Sequence, residues 1–256
     1  MSAPATVLAQ VAIWLIEAER VSVLTGAGIS TDSGIPDFRG PNGLWTRNPE
    51  AARQFTLDAY VSDPLVRRTA WQARREHAAW TAQPNRGHLA LVDLERAGRL
   101  HALITQNIDG LHQRAGSDPT RVIEVHGTIH AVECLACGAR TPMRAALDRV
   151  EAGEDDPPCQ LCGGILKSAT VSFGQQLDPT TMRRAVTSVA ESDLLIAVGT
   201  SLQVHPVAGL VDVAVGAGAR VAIVNAQPTP YDDDVHAVLR EPIGEVLPAL
   251  VHAVLG

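Results

Sequence analysis

The sequence VSVLTGAGISTDSGIPDFRG, residues 21–40, organises the interpretation of the whole chain. A short apolar strand at residues 21–25 runs directly into Gly26 and Gly28. Glycines after a strand let the backbone turn tightly beside a ligand, and the N–H groups of a following helix point at the ligand's negative charge. The stretch predicts a phosphate-binding turn. An ordinary strand-to-helix turn remains an alternative, because the third glycine of the dinucleotide fingerprint is not at its usual place.

The composition narrows the class of protein. The chain has 256 residues, 46% of them hydrophobic, which is enough for one large domain with a small satellite. Its formal charge of −7, without a lysine or arginine cluster, argues against direct binding of nucleic acid. No apolar run reaches membrane-spanning length, and Glu17, Glu19 and Arg20 do not suit a signal peptide. We therefore expect a cytoplasmic globular protein with no membrane partner.

The four cysteines form two pairs, Cys134-x2-Cys137 and Cys159-x2-Cys162, with 21 residues between them. This spacing is typical of a zinc ribbon, in which four thiolates close a tetrahedron around one ion. Disulfides are the weaker alternative, because a cytosolic chain keeps its thiols reduced. Four cysteine ligands leave no open coordination position, so we expect structural rather than catalytic zinc.

Alternating apolar strands and amphipathic helices predict an α/β fold with a doubly wound parallel sheet. The predicted strands are 21–25, 100–105, 122–125, 169–174, 193–198 and 220–225, and the predicted helices are 7–18, 65–80, 88–97, 178–190, 206–217 and 245–255. Residues 41–83 interrupt this alternation, with turn signals at Pro41-Asn42-Gly43 and Asn48-Pro49. An insertion directly after a nucleotide turn is a candidate lid over the ligand.

Polar residues and glycines follow the strand ends at Gly26, Gln106, His126, Gly199 and Asn225. In a doubly wound sheet such ends converge on one crevice, although Asn, Asp and Gly also favour simple turns. No acidic residue ends a second strand about twenty residues after the glycines, which argues against redox use of a nicotinamide. His126 is the candidate general base, because an unperturbed imidazole titrates near neutrality.

Several motifs, taken in order, resemble those of the sirtuins, the NAD-dependent protein lysine deacylases. They are Gly26-Ala27-Gly28-Ile29-Ser30 with residues 34–39, Thr105-Gln106-Asn107-Ile108-Asp109-Gly110-Leu111-His112, His126-Gly127, the cysteine pairs, Phe173-Gly174, Gly199-Thr200-Ser201 and Val224-Asn225. The resemblance covers nearly the whole chain. It implies a Rossmann-like domain (residues 1–40, 86–127 and 168–256), a helical module or lid (41–85) and a zinc-ribbon module (128–167).

The resemblance also implies the activity. NAD and an acyl-lysine peptide enter the cleft between the domains, and the products are free lysine, nicotinamide and O-acyl-ADP-ribose. His126 matches the general base. The implied NAD-binding residues are Gly26, Ala27, Gly28, Ile29, Asp37, Phe38, Arg39, Trp45, Gln106, Asn107, Ile108, Asp109, Gly199, Thr200, Ser201, Asn225 and Ile243. Mono-ADP-ribosyl transfer, which uses the same cleavage of NAD, is the alternative function.

The substrate side shows two departures from the family pattern. Trp71-Gln72-Ala73-Arg74 stands where sirtuins that prefer succinyl- and malonyl-lysine carry Tyr-x-x-Arg, so we expect a desuccinylase-like branch with a mixed or shifted acyl preference. Arg74 is the candidate carboxylate clamp. A packed tryptophan and a surface arginine are the alternative. The second departure is Gln175, which follows Phe173-Gly174 where many sirtuins have an acidic residue. Val171, Phe173 and Gly174 are the residues expected to bind the substrate peptide. The sequence leaves the oligomeric state open.

Overall fold

The computed structural model describes residues 4–41, 43–47 and 56–256. Its helices are α1 Pro4–Glu17, α2 Leu44–Arg47, α3 Leu57–Ser62, α4 Pro64–Arg75, α5 Arg86–Arg96, α6 Leu111–Ala115, α7 Met143–Glu151, α8 Pro179–Ala190, α9 Leu210–Gly216 and α10 Ile243–Leu255. Its strands are β1 Val21–Thr25, β2 Leu100–Thr105, β3 Val122–Glu124, β4 Gly127–Cys134, β5 Arg140–Pro142, β6 Leu166–Thr170, β7 Leu194–Val198, β8 Arg220–Val224 and β9 Ala237–Leu239. Short 3-10 helices span Ala27–Ser33, Ala78–Trp80 and Val207–Gly209.

The large sheet has six parallel strands in the order β3-β2-β1-β7-β8-β9. Both β1 and β7 are buried along their whole length, as expected of apolar strands covered on both faces. Thr25 at the end of β1 pairs with Thr105 on one side and Val198 on the other. The strand order reverses at β1 and β7, so their carboxyl ends open a crevice at the topological switch point. The predicted doubly wound sheet is confirmed.

Two helical layers cover this sheet. Helices α1, α5 and α10 pack on one face around a core that includes Leu15, Leu91 and Leu247. Helices α8 and α9 cover the other face around Val189 and Val211. Local signals agree with this packing: Asn85 forms a capping box at the start of α5, and Asp178 caps α8 with a proline directly after it. None of the helices in the described ranges is both long and apolar enough to cross a bilayer.

A second, antiparallel sheet in the order β5-β4-β6 carries the cysteine pairs. Its core includes Val132 of β4 and Met143 and Leu147 of α7, and Trp71 of α4 packs into the same cluster. The helical module and the zinc ribbon thus share one hydrophobic core. We call the antiparallel sheet, α7 and the helical module with α3 and α4 the small unit. It lies beside the carboxyl ends of the large sheet, because β4 begins directly after His126.

Several sequence-based boundaries were wrong. The strand predicted at 169–174 lies earlier, at Leu166–Thr170, and belongs to the antiparallel sheet, because its partner is β4. The helix predicted at 65–80 ends at Arg75, and the segment after the first glycines is 3-10 rather than α-helical. The helix predicted at 206–217 begins as a 3-10 turn and becomes regular only at Leu210. The elements that were not predicted are α2, α3, α6, α7, β4, β5 and β9. Residues 42 and 48–55 of the predicted lid, including the Asn48-Pro49 turn, lie outside the described residues.

Candidate active site

The glycine turn packs against the loop that follows β7. Gly26 N–H donates to Val198 O at 3.0 Å, and Gly28 N–H donates to Gly199 O at 2.8 Å. A Cβ on Gly28 would lie 2.7 Å from Gly199 Cα, and a Cβ on Gly199, where φ is +59°, would lie 2.4 Å from the Ile29 nitrogen. Only glycine fits where these two backbones meet. The closeness of the two loops leaves main-chain atoms, rather than side chains, to line this part of the crevice.

The polar segment after β2 is fixed to the glycine turn by side-chain hydrogen bonds. Asn107 Nδ2 donates to Gly26 O at 3.1 Å and to Ser30 Oγ at 3.2 Å. Ser30 Oγ in turn donates to Asp109 Oδ2 at 2.8 Å, and Asp109 Oδ1 accepts from the Leu111 N–H at the start of α6. Both N–H groups of the Asn107 amide and both Asp109 oxygens are therefore engaged within the protein. Asn107 and Asp109 are 7% and 5% exposed, so they are held in a preorganised, largely dry environment.

Gln106 connects three of the predicted site segments. Its side-chain Nε2 donates to Thr200 Oγ1 at 2.8 Å, and its carbonyl oxygen lies 3.0 Å from His126 Nδ1. The carbonyl of His126 accepts from Val171 N–H at 2.9 Å. The structure thus brings together the glycine turn, the segment after β2, His126, the Gly199 loop and the start of the predicted peptide-binding segment.

The hydrogen bond to Gln106 determines the tautomer of His126. A carbonyl oxygen can only accept, so Nδ1 carries the proton and Nε2 of the neutral ring presents a lone pair. Burial lowers the pKa of His126 from its usual value of 6.5, and the hydrogen bond to Gln106 opposes this shift only partly. The imidazole is therefore neutral at pH 7, with a basic nitrogen available to take up a proton.

An aromatic cluster joins the segment after the glycine turn to the predicted peptide-binding segment. The ring centroids of Phe38 and Trp45 are 4.8 Å apart, and those of Trp45 and Phe173 are 5.3 Å apart. The Arg39 guanidinium lies 4.4 Å from the centroid of the Trp45 ring, a cation–π distance. Asp37 stabilises a turn over residues 37–40, because its Oδ1 accepts a hydrogen bond from the Gly40 N–H at 3.1 Å. The cluster places Arg39 and Phe173 at the rim of the same cleft.

The residues predicted for the far side of the crevice follow the ends of β7 and β8. Gly199 N–H donates to Val224 O at 2.9 Å, which places Asn225 beside the Gly199 loop. Asn225 Nδ2 donates to Gln227 O, and the residue is 7% exposed. Ile243 begins α10, and its Cγ2 would lie 3.2 Å from a Cβ on Gly87, a residue that also faces Ile29. The structure shows no direct hydrogen bond from Ser201 or Ile243 to the other predicted residues within the described ranges.

The two residues predicted for the acyl pocket have different environments. Trp71 is fully buried in the core of the small unit, and its indole N–H has no hydrogen-bond partner among the described residues. The Arg74 guanidinium lies 5.5 Å from the Trp71 ring centroid and 5.4 Å from that of Tyr60. Its Nη1 is buried and unpartnered within the described part of the chain. Burial lowers the pKa of Arg74, which indicates an incompletely compensated cation.

The peptide-binding segment is not a regular strand beyond Thr170. Phe173 forms an isolated parallel bridge with Thr56, and Leu57 N–H donates to Phe173 O at 2.9 Å. Phe173 is 40% exposed and, with Gly174, Leu57 and Val61, lines an open groove. An exposed aromatic ring and a short stretch of extended backbone suit the binding of an extended peptide.

The four cysteines meet as the sequence predicts. Their Sγ atoms all lie within 4.8 Å of one another, with 3.5 Å between Cys134 and Cys162 and 3.8 Å between Cys137 and Cys159. These separations are too long for disulfides, whose S–S bond is about 2.05 Å. A tetrahedron with Zn–S bonds of about 2.3 Å has S–S edges of about 3.8 Å, so the thiols fit one structural zinc ion. A Cβ on Gly164 would lie 3.1 Å from Cys134 Sγ, which explains glycine there.

The crevice also fits a dinucleotide. Main-chain groups of two glycine loops line its centre, the neutral amides of Gln106 and Asn107 lie on one side, and Asn225 lies on the other. Close backbone approach and uncharged hydrogen-bonding groups suit a pyrophosphate and its two nucleosides.

Sequence reasoning missed several residues that support the site. Ser30 and His112 lie five and seven residues after the ends of β1 and β2, inside the quoted motifs, and their place in those motifs was the only sequence signal for them. No sequence pattern pointed to Tyr60. Its contact with Arg74 joins helices α3 and α4, and a sequence pattern does not show how two helices pack against each other. Thr25 and Thr105 were counted only as strand residues, yet their hydroxyls are hydrogen-bonded at 2.8 Å beneath the crevice.

The fold and site define a Rossmann-type nucleotide-binding protein with an inserted zinc ribbon. Comparison with known proteins identifies the family. The Sir2 family model matches residues 26–206, more than half of the chain. "NAD-dependent protein deacetylase 2" of Streptomyces coelicolor is 55% identical over 231 residues, covering 90% of this chain and 96% of that protein. The chain belongs to the Sir2 family.

Solved structures agree with this assignment. A structure described as "Structural Basis for the Mechanism and Regulation of Sir2 Enzymes" superposes with a TM-score of 0.88 at 37% identity, covering 98% of each chain. A second, "Sir2-p53 peptide-NAD+", superposes with a TM-score of 0.85 at 34% identity, covering 95% of this chain and 96% of that chain. Both are similar over nearly the full length, so the predicted family and fold class are confirmed.

Proposed function

We propose that this protein is an NAD-dependent protein lysine deacylase that releases nicotinamide and free lysine and forms O-acyl-ADP-ribose. The observation that carries the proposal is the neutral His126, whose Nε2 is free as a base while Nδ1 is bound to Gln106 in the crevice of a Sir2-family fold. A relative and a solved neighbour support the cosubstrate and substrate, since one is named as an NAD-dependent protein deacetylase and the other holds a peptide and NAD.

The proposal assigns the acid–base chemistry to His126. NAD, when bound, supplies the electrophilic ribose carbon and the nicotinamide leaving group, so the protein needs no serine nucleophile and no catalytic metal. His126 Nε2 removes a proton from a ribose hydroxyl, and the Gln106 carbonyl stabilises the imidazolium through Nδ1–H. Asn107 and Asp109, held by Ser30 and Gly26, orient the nicotinamide side of the crevice.

The other site residues have binding roles in this proposal. Those assigned to NAD are Gly26, Ala27, Gly28, Ile29, Asp37, Phe38, Arg39, Trp45, Gln106, Asn107, Ile108, Asp109, Gly199, Thr200, Ser201, Asn225 and Ile243. The peptide backbone is assigned to the segment that holds Val171, Phe173 and Gly174, which is exposed at the groove beside Leu57. The domain division made from the sequence remains part of the proposal, with β6 assigned to the small unit.

The acyl range includes succinyl or malonyl groups in this proposal. Arg74 supports it, because one guanidinium nitrogen is buried without a partner among the described residues, and a carboxylate that reached it would complete its hydrogen bonding. Trp71 argues for a shifted preference. Its indole N–H is fully buried in the core of the small unit, so it does not substitute for a tyrosine hydroxyl at the pocket wall.

A mass-spectrometric assay tests the central proposal. The purified protein is incubated with an acetyl-lysine peptide, with and without NAD, beside the variants His126→Asn and His252→Ala. Asn retains a donor for Gln106 O but lacks the basic Nε2, and His252 is an exposed residue of α10 that serves as the control. We expect deacetylation only with NAD, full activity in His252→Ala and a loss of at least about a hundredfold in His126→Asn.

The same assay tests mono-ADP-ribosyl transfer, the alternative function. If nicotinamide is released while the peptide keeps its acetyl group and label from NAD becomes attached to protein, the transferase replaces the deacylase as the proposed function. If neither nicotinamide nor deacetylated peptide is formed, both functions are wrong for this chain.

A reducing compartment such as the cytoplasm is part of the proposal. The cysteine Sγ atoms lie at zinc-binding rather than disulfide distances, which supports it. Proteins with acyl-lysine side chains are the proposed macromolecular partners.

A further inference from the structure

A group of buried polar side chains lies beneath the proposed active site and is not explained by substrate binding. His88 and His112 are 0% and 1% exposed, and their ring centroids are 4.9 Å apart with an angle of 55° between the planes. Each ring has one nitrogen without a hydrogen-bond partner in the described structure, Nε2 of His88 and Nδ1 of His112. Buried polar atoms without partners are costly, so their arrangement calls for an explanation.

The hydrogen-bond directions determine the tautomer of His112. Thr25 Oγ1 donates its one proton to Thr105 Oγ1 at 2.8 Å. Toward His112 Nε2, at 2.9 Å, the same hydroxyl can therefore only accept, and Nε2 must carry the proton. The neutral ring then has a bare lone pair on Nδ1, which is the unpartnered atom.

The tautomer of His88 follows in the same way. The Asn85 N–H donates to His88 Nδ1 at 3.4 Å, so Nδ1 carries the lone pair and Nε2 carries the proton. The unpartnered atom of His88 is thus a donor, and that of His112 is an acceptor. Two adjacent rings with one orphan donor and one orphan acceptor can satisfy each other through one buried water.

We propose that His88 and His112 are positioning residues for the site, linked as two neutral Nε2–H imidazoles in a one-directional chain of hydrogen bonds. The chain runs from Asn85 N–H to His88, crosses the proposed link between the two adjacent rings to His112, and continues through Thr25 to the hydroxyl of Thr105. We call this set of five residues the histidine relay.

Both ends of the histidine relay hold residues of the crevice. At one end, Asn85 Nδ2 donates to Ile29 O at 2.7 Å and to Ser33 Oγ at 2.9 Å, which anchors the 3-10 helix after the glycine turn. At the other end, Thr105 Oγ1 accepts from the Asn107 N–H at 3.0 Å. Asn107 and Ser30 are in turn hydrogen-bonded to each other. The relay therefore fixes the two walls that orient the nicotinamide side of the crevice.

The relay acts through Asn107 rather than by touching a substrate, and this role rests on the proposed deacylase function. Thr25→Val removes the hydroxyl and keeps the shape, whereas Thr25→Ser keeps the hydroxyl. His112→Met removes the hydrogen-bond donor, whereas His112→Gln, a side chain of nearly the same length as methionine, keeps a donor near the position of Nε2. Each pair therefore compares a broken relay with a matched intact one.

The first measurement is independent of activity. Nitrogen-15 NMR of the imidazoles, with the His112→Gln variant for assignment, reports which ring nitrogen carries the proton. We expect the Nε2–H tautomer for both His88 and His112 at pH 7. An Nδ1–H tautomer or an imidazolium at His112 overturns the relay, whether or not the protein is a deacylase.

The second measurement is steady-state deacylation with saturating NAD. We expect kcat to fall about tenfold in Thr25→Val and His112→Met, because each variant breaks a hydrogen bond of the relay and leaves a buried polar group unpaired. The KM for the peptide should change less than about twofold. Thr25→Ser and His112→Gln should keep kcat within about threefold. Unchanged kcat in folded Thr25→Val and His112→Met variants overturns the positioning role.

Thermal melts of all four variants identify any that fail to fold, in which case the NMR tautomer decides the proposal. If the wild-type protein lacks deacylase activity, the proposed function is wrong, and the NMR experiment still tests the relay.

Discussion

His126 and Gln106 are joined by a hydrogen bond of 3.0 Å between the imidazole Nδ1 and a main-chain carbonyl, and this contact assigns the free lone pair to Nε2. Because a main-chain carbonyl cannot be mutated away or protonated near neutrality, this contact holds the proposed base in place without help from a neighbouring side chain. The base depends instead on the backbone geometry of residues 106 and 126–127.

The acid limb of the pH–rate profile should lie below the usual titration range of histidine. Burial lowers the pKa of His126 from 6.5, and the proposed base acts only when neutral, so kcat should rise with pH to a midpoint below 6.5 and then level off. Turnover of an acetyl-lysine peptide measured between pH 5 and 8 tests this. A midpoint above pH 7 would contradict the assigned environment of the imidazole.

Substitution of Gly127 should displace His126. Gly127 has a φ of +72°, and a Cβ there would lie 2.1 Å from Ala169 O, so Gly127→Ala forces β4 and β6 apart next to the base. We expect a loss of roughly 2–4 kcal/mol of stability and a fall in kcat. Gly98→Ala is the matched control, because Gly98 has a φ of +73° but open space around it. It should cost about 1 kcal/mol and leave kcat unchanged. Equal effects of the two substitutions in chemical denaturation would disprove the clash.

Removal of zinc should unfold the small unit. The four thiols fit one ion, and β4, β6 and α7 share their core with Trp71 of the helical module. Elemental analysis should find one zinc per chain. Cys137→Ala or treatment with a strong chelator should lower the melting temperature and abolish deacylation, because the Phe173 segment follows β6 directly. Leu161→Ala, at an exposed position between the last two cysteines, is the control. Full activity of a metal-free, folded protein would show that the ion is not structural.

The sequence predicted the large sheet well, because fully buried parallel strands appear as short apolar runs, as at residues 21–25 and 193–198. The position of the crevice followed from the residues after those runs, and Gly26, Gln106, His126 and Gly199 do meet there. The cysteine spacing was equally informative, since metal geometry tolerates few alternatives.

The antiparallel sheet was harder to predict, for physical reasons. Strands β5 and β6 are short and only partly apolar, and both pair with β4 beside the cysteine cluster, so their own hydrophobic pattern is a weak signal. The strand predicted at 169–174 was wrong because residues 171–174 pair with no strand of the sheet: Phe173 forms only an isolated bridge with Thr56, and Gly174 lies in a turn. The contact between Tyr60 and Arg74 depends on how α3 and α4 pack, which a single sequence does not specify.

The two buried histidines of the relay should make stability depend on pH. Burial lowers the pKa of His88 to about 4, with Asp109 opposing the shift, and burial together with His88 lowers that of His112 well below 6.5. The unfolded chain therefore binds more protons than the folded one between about pH 4 and 6.5, and stability falls as the pH decreases through that window.

At pH 5 the His88 contribution alone should be on the order of 2 kcal/mol relative to pH 7. Urea denaturation at several pH values measures the slope. The variant His112→Gln has one buried imidazole fewer and should show a shallower dependence. A wild-type stability that is constant from pH 7 to 5 would contradict neutral burial of these rings.

Arg74 should select acidic acyl groups. Its guanidinium is held between the rings of Trp71 and Tyr60, and the buried Nη1 has no partner among the described residues, so a carboxylate at the end of an acyl chain would complete its hydrogen bonding. Arg74→Met keeps the length and removes the charge. We expect kcat/KM for a succinyl-lysine peptide to fall at least about tenfold, while that for the matched acetyl-lysine peptide changes less than about threefold.

Arg75→Met is the control for Arg74, because Arg75 is an exposed neighbour on α4 that pairs with Glu76 at 2.9 Å. It should leave both substrates unaffected. Equal losses on the two peptides in Arg74→Met, with a lowered melting temperature, would assign Arg74 to packing instead. Negligible succinyl turnover by the wild-type protein would show that Trp71 has shifted the pocket to uncharged acyl groups, since a fully buried indole offers the carboxylate no second donor.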